Sequence, residues 1–171
     1  MKIDIEKIIS STDLNDSIIA LDNYICERCQ WGQNLRNLNK EQKIFYFNQE
    51  LECEVNNGGF AQYFLNSSGN YAHDTVKSLE SIGANHTANI LQLAINEFPD
   101  KTVPSNREIR QKVLMDMPQK ANEIWNNLDE NFFQYKDDLN SLNMDFVKRN
   151  KSSFSTDPYN VFIQKLLRFF H

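Results

Sequence analysis

The sequence predicts an all-α fold, a single compact multi-helix domain of about seven to nine helices over residues 1–171. Three observations predict it. Apolar residues recur at helical spacings of three and four along most of the chain, and strict alternation never persists beyond about four residues. Capping residues, glycines and prolines stand at the ends of the periodic segments. A chain of 171 residues that is 40% hydrophobic is also long enough to bury one core.

Two helices are predicted before the first glycine pair. Apolar residues recur with helical spacing over residues 13–31, and Gly32 follows where such a helix can stop. Asn39 and Gln42 have the spacing of a capping box. The helix that they begin is expected to run to the polar, glycine-containing break at residues 56–59.

Shorter helices are predicted beyond that break. One begins near Ala72 and ends at Gly83, and another begins near Ala88 and ends before Pro99. Glycine at a helix end and proline just beyond it are common stop signals.

The last third of the chain carries three more helical signals. Ser105 has the position of an N-cap, with a glutamate three residues later. Pro118 begins or kinks a helix whose apolar stripe is expected to continue to Leu139. An apolar-rich helix is predicted over residues 159–170.

The charge balance limits the classes of partner. Lys and Arg number 18 against 23 Asp and Glu, a formal net charge of -5. This disfavours direct binding to nucleic acid or to an anionic membrane. The chain shows no apolar stretch of membrane-spanning length and no secretory signal pattern at Met1 to Ser10, so we expect a cytoplasmic protein.

Residues suited to metal binding or catalysis are few and dispersed. Cys26 and Cys29 have the CxxC spacing, but a second close pair of ligands is missing, because Cys53, His73 and His86 stand far apart in sequence. No nucleophile with a histidine and a carboxylate stands out. We therefore expect no metal, no cofactor and no catalytic residue.

The most distinctive segment surrounds the glycine pair. Two adjacent glycines permit a positive φ or a close backbone approach, so one helix can end and another begin at an angle. The neighbouring amide side chains are expected to bind exposed backbone groups at this corner, and Phe60, Phe64 and Leu65 to enter the core. Both a structural corner and a ligand or partner pocket fit the pattern. The residues in question are Asn56, Asn57, Gly58, Gly59, Phe60, Gln62 and Asn66.

Residues 54–66, with the sequence EVNNGGFAQYFLN, resemble the bacterial DNA-mimic protein family, a helical domain formerly of unknown function. The later segments LESIGA at 79–84 and LDENFF at 128–133 are similar to the family pattern too. The resemblance covers about residues 40–150. It implies an α-helical fold, no cofactor and a protein partner such as a DNA-binding regulator, and the family's best-known member is a homodimer.

Acidic residues concentrate in the predicted helix after Pro118. On a helical wheel of about 100° per residue, Glu123, Glu130 and Asp137 fall opposite the apolar stripe. The predicted partner-binding acidic face consists of Asp116, Glu123, Asp129, Glu130, Asp137 and Asp138. Charges seven residues apart are separated by about 10.5 Å of helix, too sparse to copy the phosphates of one DNA strand, spaced about 3.4 Å.

These observations predict a non-enzymatic protein-binding domain whose acidic face engages a basic, DNA-binding protein. Two alternatives stay open. An immunity- or antitoxin-like protein would neutralise its partner through shape rather than charge. An enzyme of unrecognised type would use a pocket near Gly58 and Gly59.

Overall fold

Helices make up the regular secondary structure. The computed structural model describes residues 3–155, and this range contains no strand. This confirms the all-α prediction, whereas the helix predicted over 159–170 lies outside the described residues. Nine α-helices occur between residues 3 and 155: α1 (Ile5–Ile9), α2 (Leu14–Arg28), α3 (Lys40–Leu65), α4 (Ala72–Ile82), α5 (Asn85–Ile95), α6 (Arg107–Met115), α7 (Gln119–Phe132), α8 (Leu139–Arg149) and α9 (Lys151–Phe154).

Side-chain caps set the starts of several helices. The capping box at α3 is confirmed: Gln42 N donates to Asn39 Oδ1 at 2.9 Å, and Asn39 N donates to Gln42 Oε1 at 3.2 Å. The capping box predicted at Ser105 is wrong. Asn106 caps α6 instead and accepts from the N–H of Ile109 at 3.0 Å. Serine and asparagine are about equally good N-caps, so residue type alone does not decide which of the two neighbours caps the helix.

The long helix α3 is the central element of the fold. Helices α2, α4, α6, α7, α8 and α9 all contact it. Its second half is anchored by Phe64, whose ring centroid lies 4.8 Å from that of Phe98 and 5.1 Å from that of Trp125. The indole N–H of Trp125 donates to Ala94 O at 3.0 Å, so the one polar atom of this aromatic cluster is satisfied.

Helix α7 ends at Phe132 and does not continue to Leu139 as predicted. Tyr135 has a φ of 46°, in the left-handed region that a right-handed helix does not use. Asp138 then caps α8, which begins at Leu139. Leu139 is buried as the periodicity predicted, but it reaches the core from a separate helix.

Between residues 3 and 155 no helix combines the length and the apolar character needed to cross a membrane. The longest helix, α3, has 26 residues but carries charged side chains in both its first and its middle turns, at Lys40, Lys43, Glu50 and Glu54.

Candidate functional site at the glycine corner

The backbone changes direction at the glycine corner, which comprises residues 56–60. Gly58 has φ -167° and ψ 27°, and Gly59 has φ 69° and ψ -172°, so the helical conformation is interrupted within α3. A Cβ atom on Gly59 would collide with the carboxylate of Asp129. Glycine is therefore required at position 59 for two reasons: its φ is positive, and the side chain of Asp129 lies too close to leave room for a Cβ atom. The predicted helix-to-helix corner is confirmed.

Asp129 holds the first turn after the corner. Its Oδ1 accepts the backbone N–H of Phe60 at 2.8 Å. The N–H groups at the start of a helix lack partners inside that helix, so a carboxylate from α7 acts as a cap for the second half of α3. Burial raises the pKa of Asp129, and the hydrogen bond from Phe60 opposes this rise.

Glu54 binds three polar groups across the corner. Its Oε2 accepts from Gln62 Nε2 at 2.7 Å and from Asn66 Nδ2 at 2.9 Å. Its Oε1 accepts from the Ser68 hydroxyl at 3.2 Å. One carboxylate thus ties the helical segment before the glycines to the segment after them and to the following turn.

Arg110 binds the carboxyl end of α3. Its side chain is fully buried, and its Nε donates to Phe64 O at 2.6 Å. Nη1 donates to Pro104 O at 2.6 Å, and Nη2 donates to Asn66 O at 2.7 Å and Asn70 Oδ1 at 2.8 Å. Burial lowers the pKa of Arg110. The guanidinium satisfies carbonyl groups that a helix end leaves without partners.

The amide side chains of the motif bind other side chains, so the expectation that they bind the corner backbone is wrong. Asn56 Nδ2 donates to the Tyr135 hydroxyl at 2.6 Å, and Asn57 Nδ2 donates to Cys53 Sγ at 3.5 Å. The backbone groups are bound by Asp129 and Arg110, which belong to distant parts of the sequence.

Two of the three apolar residues of the motif enter the core. Phe60 and Phe64 are fully buried, but Leu65 is 47% exposed, so its predicted burial is wrong. The polar groups of the corner are engaged within the protein. This favours the structural interpretation of the motif over a ligand pocket.

The six carboxylates of the predicted acidic face do not share one helix. Asp116 is the C-cap of α6, because α7 begins only after Pro118. Glu123 and Glu130 are exposed on α7. Asp129, also on α7, turns inward to the glycine corner.

Asp137 and Asp138 lie in the turn after α7 and cap other helices. Asp137 accepts from the N–H of Thr87 at 2.8 Å, in the first turn of α5. Asp138 accepts from the N–H of Ser141 at 3.0 Å and from its hydroxyl at 2.6 Å, and these bonds lower the pKa of Asp138. The helical wheel placed Asp137 beside Glu130 because it assumed a continuous helix.

The residues considered for metal binding are separated by the fold. Cys26 and Cys29 are buried near the end of α2, whereas Cys53 is exposed on α3. His73 accepts the N–H of Val103 at its Nε2, 3.1 Å away. Within residues 3–155, no three histidine, cysteine or carboxylate side chains are grouped as metal ligands.

A second group of carboxylates, which the sequence analysis did not single out, lies between α2 and α3. Asp22, Glu50 and Glu54 interact electrostatically and are partly buried. Burial, followed by the charges of Asp22 and Glu54, raises the pKa of Glu50 to about 7. Burial also raises the pKa of Asp22. Glu50 and Glu54 are four residues apart in one helix, a like-charge spacing that destabilises helices and could have drawn attention to them.

The fold and the corner define a class of protein: an all-α domain with a glycine-broken central helix and a formal net charge of -5. The chain belongs to the DMP19-like protein family, whose model matches residues 36–150. The family takes its name from DNA mimic protein 19, and the match is consistent with a DNA-mimic family. No curated protein and no solved structure matches the chain.

Proposed function

We propose that this protein binds a basic surface on a partner protein, and that the surface it covers is one that the partner uses to bind DNA. Membership of the DMP19-like family supports the class of function. The observation that carries the proposal for this chain is the exposure of Glu123 and Glu130 on the solvent side of α7. Both lie on the same helix as the buried side chains of Trp125 and Leu128.

Three carboxylates form the core of the proposed surface: Asp116, Glu123 and Glu130. All three are exposed, and none forms an ion pair with a cationic side chain within residues 3–155. Their charges are consequently available to a partner. Asp137 and Asp138 add negative charge nearby in sequence while capping helices.

The spacing of these charges sets the mode of recognition. Glu123 and Glu130 are seven residues apart, so about 10.5 Å of helix separates them, whereas DNA carries a phosphate about every 3.4 Å along each strand. The surface is therefore a sparse pattern of charges and not a copy of one strand. Such a pattern steers association with a cationic partner and weakens as salt is added.

In the first step, the immobilised chain captures its partner from a bacterial lysate at low salt. High salt then releases the partner, and mass spectrometry identifies it. The purified partner is then titrated with the chain in the presence and absence of duplex DNA. We expect duplex DNA to compete with the chain, because both would occupy the same basic surface.

A matched pair of variants separates local recognition from total charge. Asp116→Asn/Glu123→Gln/Glu130→Gln removes three charges from the proposed surface, and Asp16→Asn/Glu80→Gln/Asp145→Asn removes three exposed charges from other helices. We expect only the first variant to weaken binding, by about tenfold or more, and to reduce its salt dependence. Equal effects of the two variants, or no competition by DNA, would contradict the proposal.

A further inference from the structure

A cavity of about 470 Å³ lies between the first turns of α3 and helix α4. None of the glycine-corner residues lines it. Its volume is within the range of about 300–1,000 Å³ that small-molecule sites usually occupy. We refer to it as the lysine trough, because Lys40, Lys43 and Lys77 stand on its walls.

The lysine trough carries a local charge that is opposite in sign to the net charge of the whole chain. Three ammonium groups and one carboxylate, that of Asp74, leave it with a local net charge of +2, whereas the whole chain carries -5. Lys77 and Asp74 form an exposed ion pair at 3.8 Å. Lys40 and Lys43 form no ion pair with any residue from 3 to 155. Two cationic groups are therefore left for an anion.

The floor of the trough is apolar and aromatic. Phe47 and Tyr71 stack with ring centroids 5.0 Å apart, and Leu35 and Ile44 complete the apolar lining. Aromatic and aliphatic floors with a few polar groups at the edge are typical of small-molecule sites.

The serine hydroxyls on the wall of α4 are already used as donors. Ser78 donates to Asp74 O at 2.9 Å, and Ser81 donates to Lys77 O at 2.7 Å. Charge complementarity in the trough thus comes from the lysines.

We propose that the lysine trough binds an anionic amphiphile. This is a small molecule whose apolar body covers the Phe47 and Tyr71 floor and whose carboxylate, sulfonate or phosphate head contacts Lys40 and Lys43. All ligands of this class have a single anionic head group attached to an apolar body. This site is separate from the proposed partner surface on α7 and does not depend on it.

The test adds each of three probes to the full chain and measures binding by the change in the NMR chemical shifts of the protein. Octanoate has both the head and the body, 1-octanol has the body without the charge, and acetate has the head without the body. We expect octanoate, below its micelle concentration, to bind about tenfold or more tightly than either of the others. The largest shifts should occur at Ile44, Phe47 and Tyr71.

Two double variants test the role of the lysines. Lys40→Gln/Lys43→Gln should weaken octanoate binding by about tenfold and leave 1-octanol binding unchanged. Lys120→Gln/Lys136→Gln removes the same charge from exposed positions elsewhere and should leave octanoate binding unchanged. Because all four lysines are at or near the surface, both variants should retain the parental melting temperature.

Three results would overturn the proposal. Octanoate could bind no more tightly than 1-octanol, which would remove the role of charge. The two double variants could weaken binding equally, which would indicate a general charge effect. The shifts could cluster away from the trough, which would place the ligand in another site.

Discussion

The carboxylate of Asp129 accepts the backbone N–H of Phe60 at 2.8 Å, across 69 residues of sequence. This bond exists because Gly59 has no side chain, and a Cβ atom there would occupy the position of the carboxylate. A helix can thus be capped by a residue from another helix. Asp129 couples the direction of the second half of α3 to the position of α7, and it fixes the glycine corner.

Replacing Asp129 tests this coupling. Asp129→Ala leaves the N–H of the buried Phe60 without its acceptor, and we expect a loss of about 1–3 kcal/mol in the free energy of unfolding. Asp129→Asn retains an oxygen acceptor and should cost less. Glu130→Ala is the matched control, because Glu130 is the exposed neighbour and should change stability by no more than about 0.5 kcal/mol. Urea denaturation measures all three, and equal values for Asp129→Ala and Glu130→Ala would contradict the capping role.

The two glycines of the corner should differ in their tolerance of alanine. Gly59→Ala combines strain at a φ of 69° with displacement of the Asp129 carboxylate, so we expect it to cost about 2–5 kcal/mol. Gly58→Ala displaces the side chain of Gln62, which donates to Glu54, and should cost about 1–2 kcal/mol.

Gly83→Ala provides the reference for strain alone. Gly83 has a φ of 87°, and a Cβ there would have open space around it, so the cost should be about 1 kcal/mol. Thermal melts should therefore rank Gly59→Ala as the most damaging of the three. A Gly59→Ala melting temperature equal to that of Gly83→Ala would show that the approach of Asp129 is unimportant.

Local patterns in the sequence predicted much of the fold. The capping box at Asn39, the stop at Gly83 and the break at Gly59 depend on residues within a few positions of one another, so they can be read from the sequence. Helical periodicity likewise identified the buried side of α7 as far as Phe132.

The errors arose where distant residues decide the local structure. The apolar spacing of Tyr135 and Leu139 continued the α7 pattern, although a left-handed Tyr135 ends the helix. The sequence analysis did not single out Arg110, because nothing near it in sequence indicates that it binds the end of α3. The glycine pair located the corner, but its two backbone-binding side chains, Asp129 and Arg110, could not be assigned from spacing.

Arg110 is expected to be essential for stability. Arg110→Met removes donors from Phe64 O, Asn66 O and Pro104 O in a buried environment, and we expect a loss of about 3–5 kcal/mol. Arg110→Lys should recover only part of this loss, because an ammonium group cannot reproduce the planar set of guanidinium donors.

Arg107→Met is the matched control for Arg110. Arg107 donates to Leu65 O at 3.1 Å and Asn66 Oδ1 at 3.3 Å, but its side chain is exposed, so its loss should cost about 1 kcal/mol or less. If both methionine variants lower the melting temperature equally, the buried hydrogen bonds of Arg110 stabilise the fold no more than the exposed ones of Arg107.

The pKa of Glu50 predicts a pH-dependent loss of stability. Burial and the charges of Asp22 and Glu54 raise this pKa from the ordinary value of 4.5 to about 7. The folded protein consequently holds a proton on Glu50 more tightly than the unfolded chain does. Stability is favoured below about pH 4.5 and falls as the pH rises to about 7, above which the penalty stays constant.

Glu50→Gln removes this penalty, since a neutral amide costs less to bury than a carboxylate and does not repel Asp22 and Glu54. The variant should therefore be more stable than the parent at pH 8, by about 1–3 kcal/mol, with a much smaller gain at pH 5. Glu123→Gln, an exposed change on α7, should alter stability by no more than about 0.5 kcal/mol at both pH values. Asp22→Asn should lower the pKa of Glu50, which carboxyl-carbon NMR titration measures directly. A gain for Glu50→Gln that is the same at pH 5 and pH 8 would mean that the pKa of Glu50 is not raised in the folded protein, because a raised pKa makes the cost of ionising Glu50 grow between these pH values.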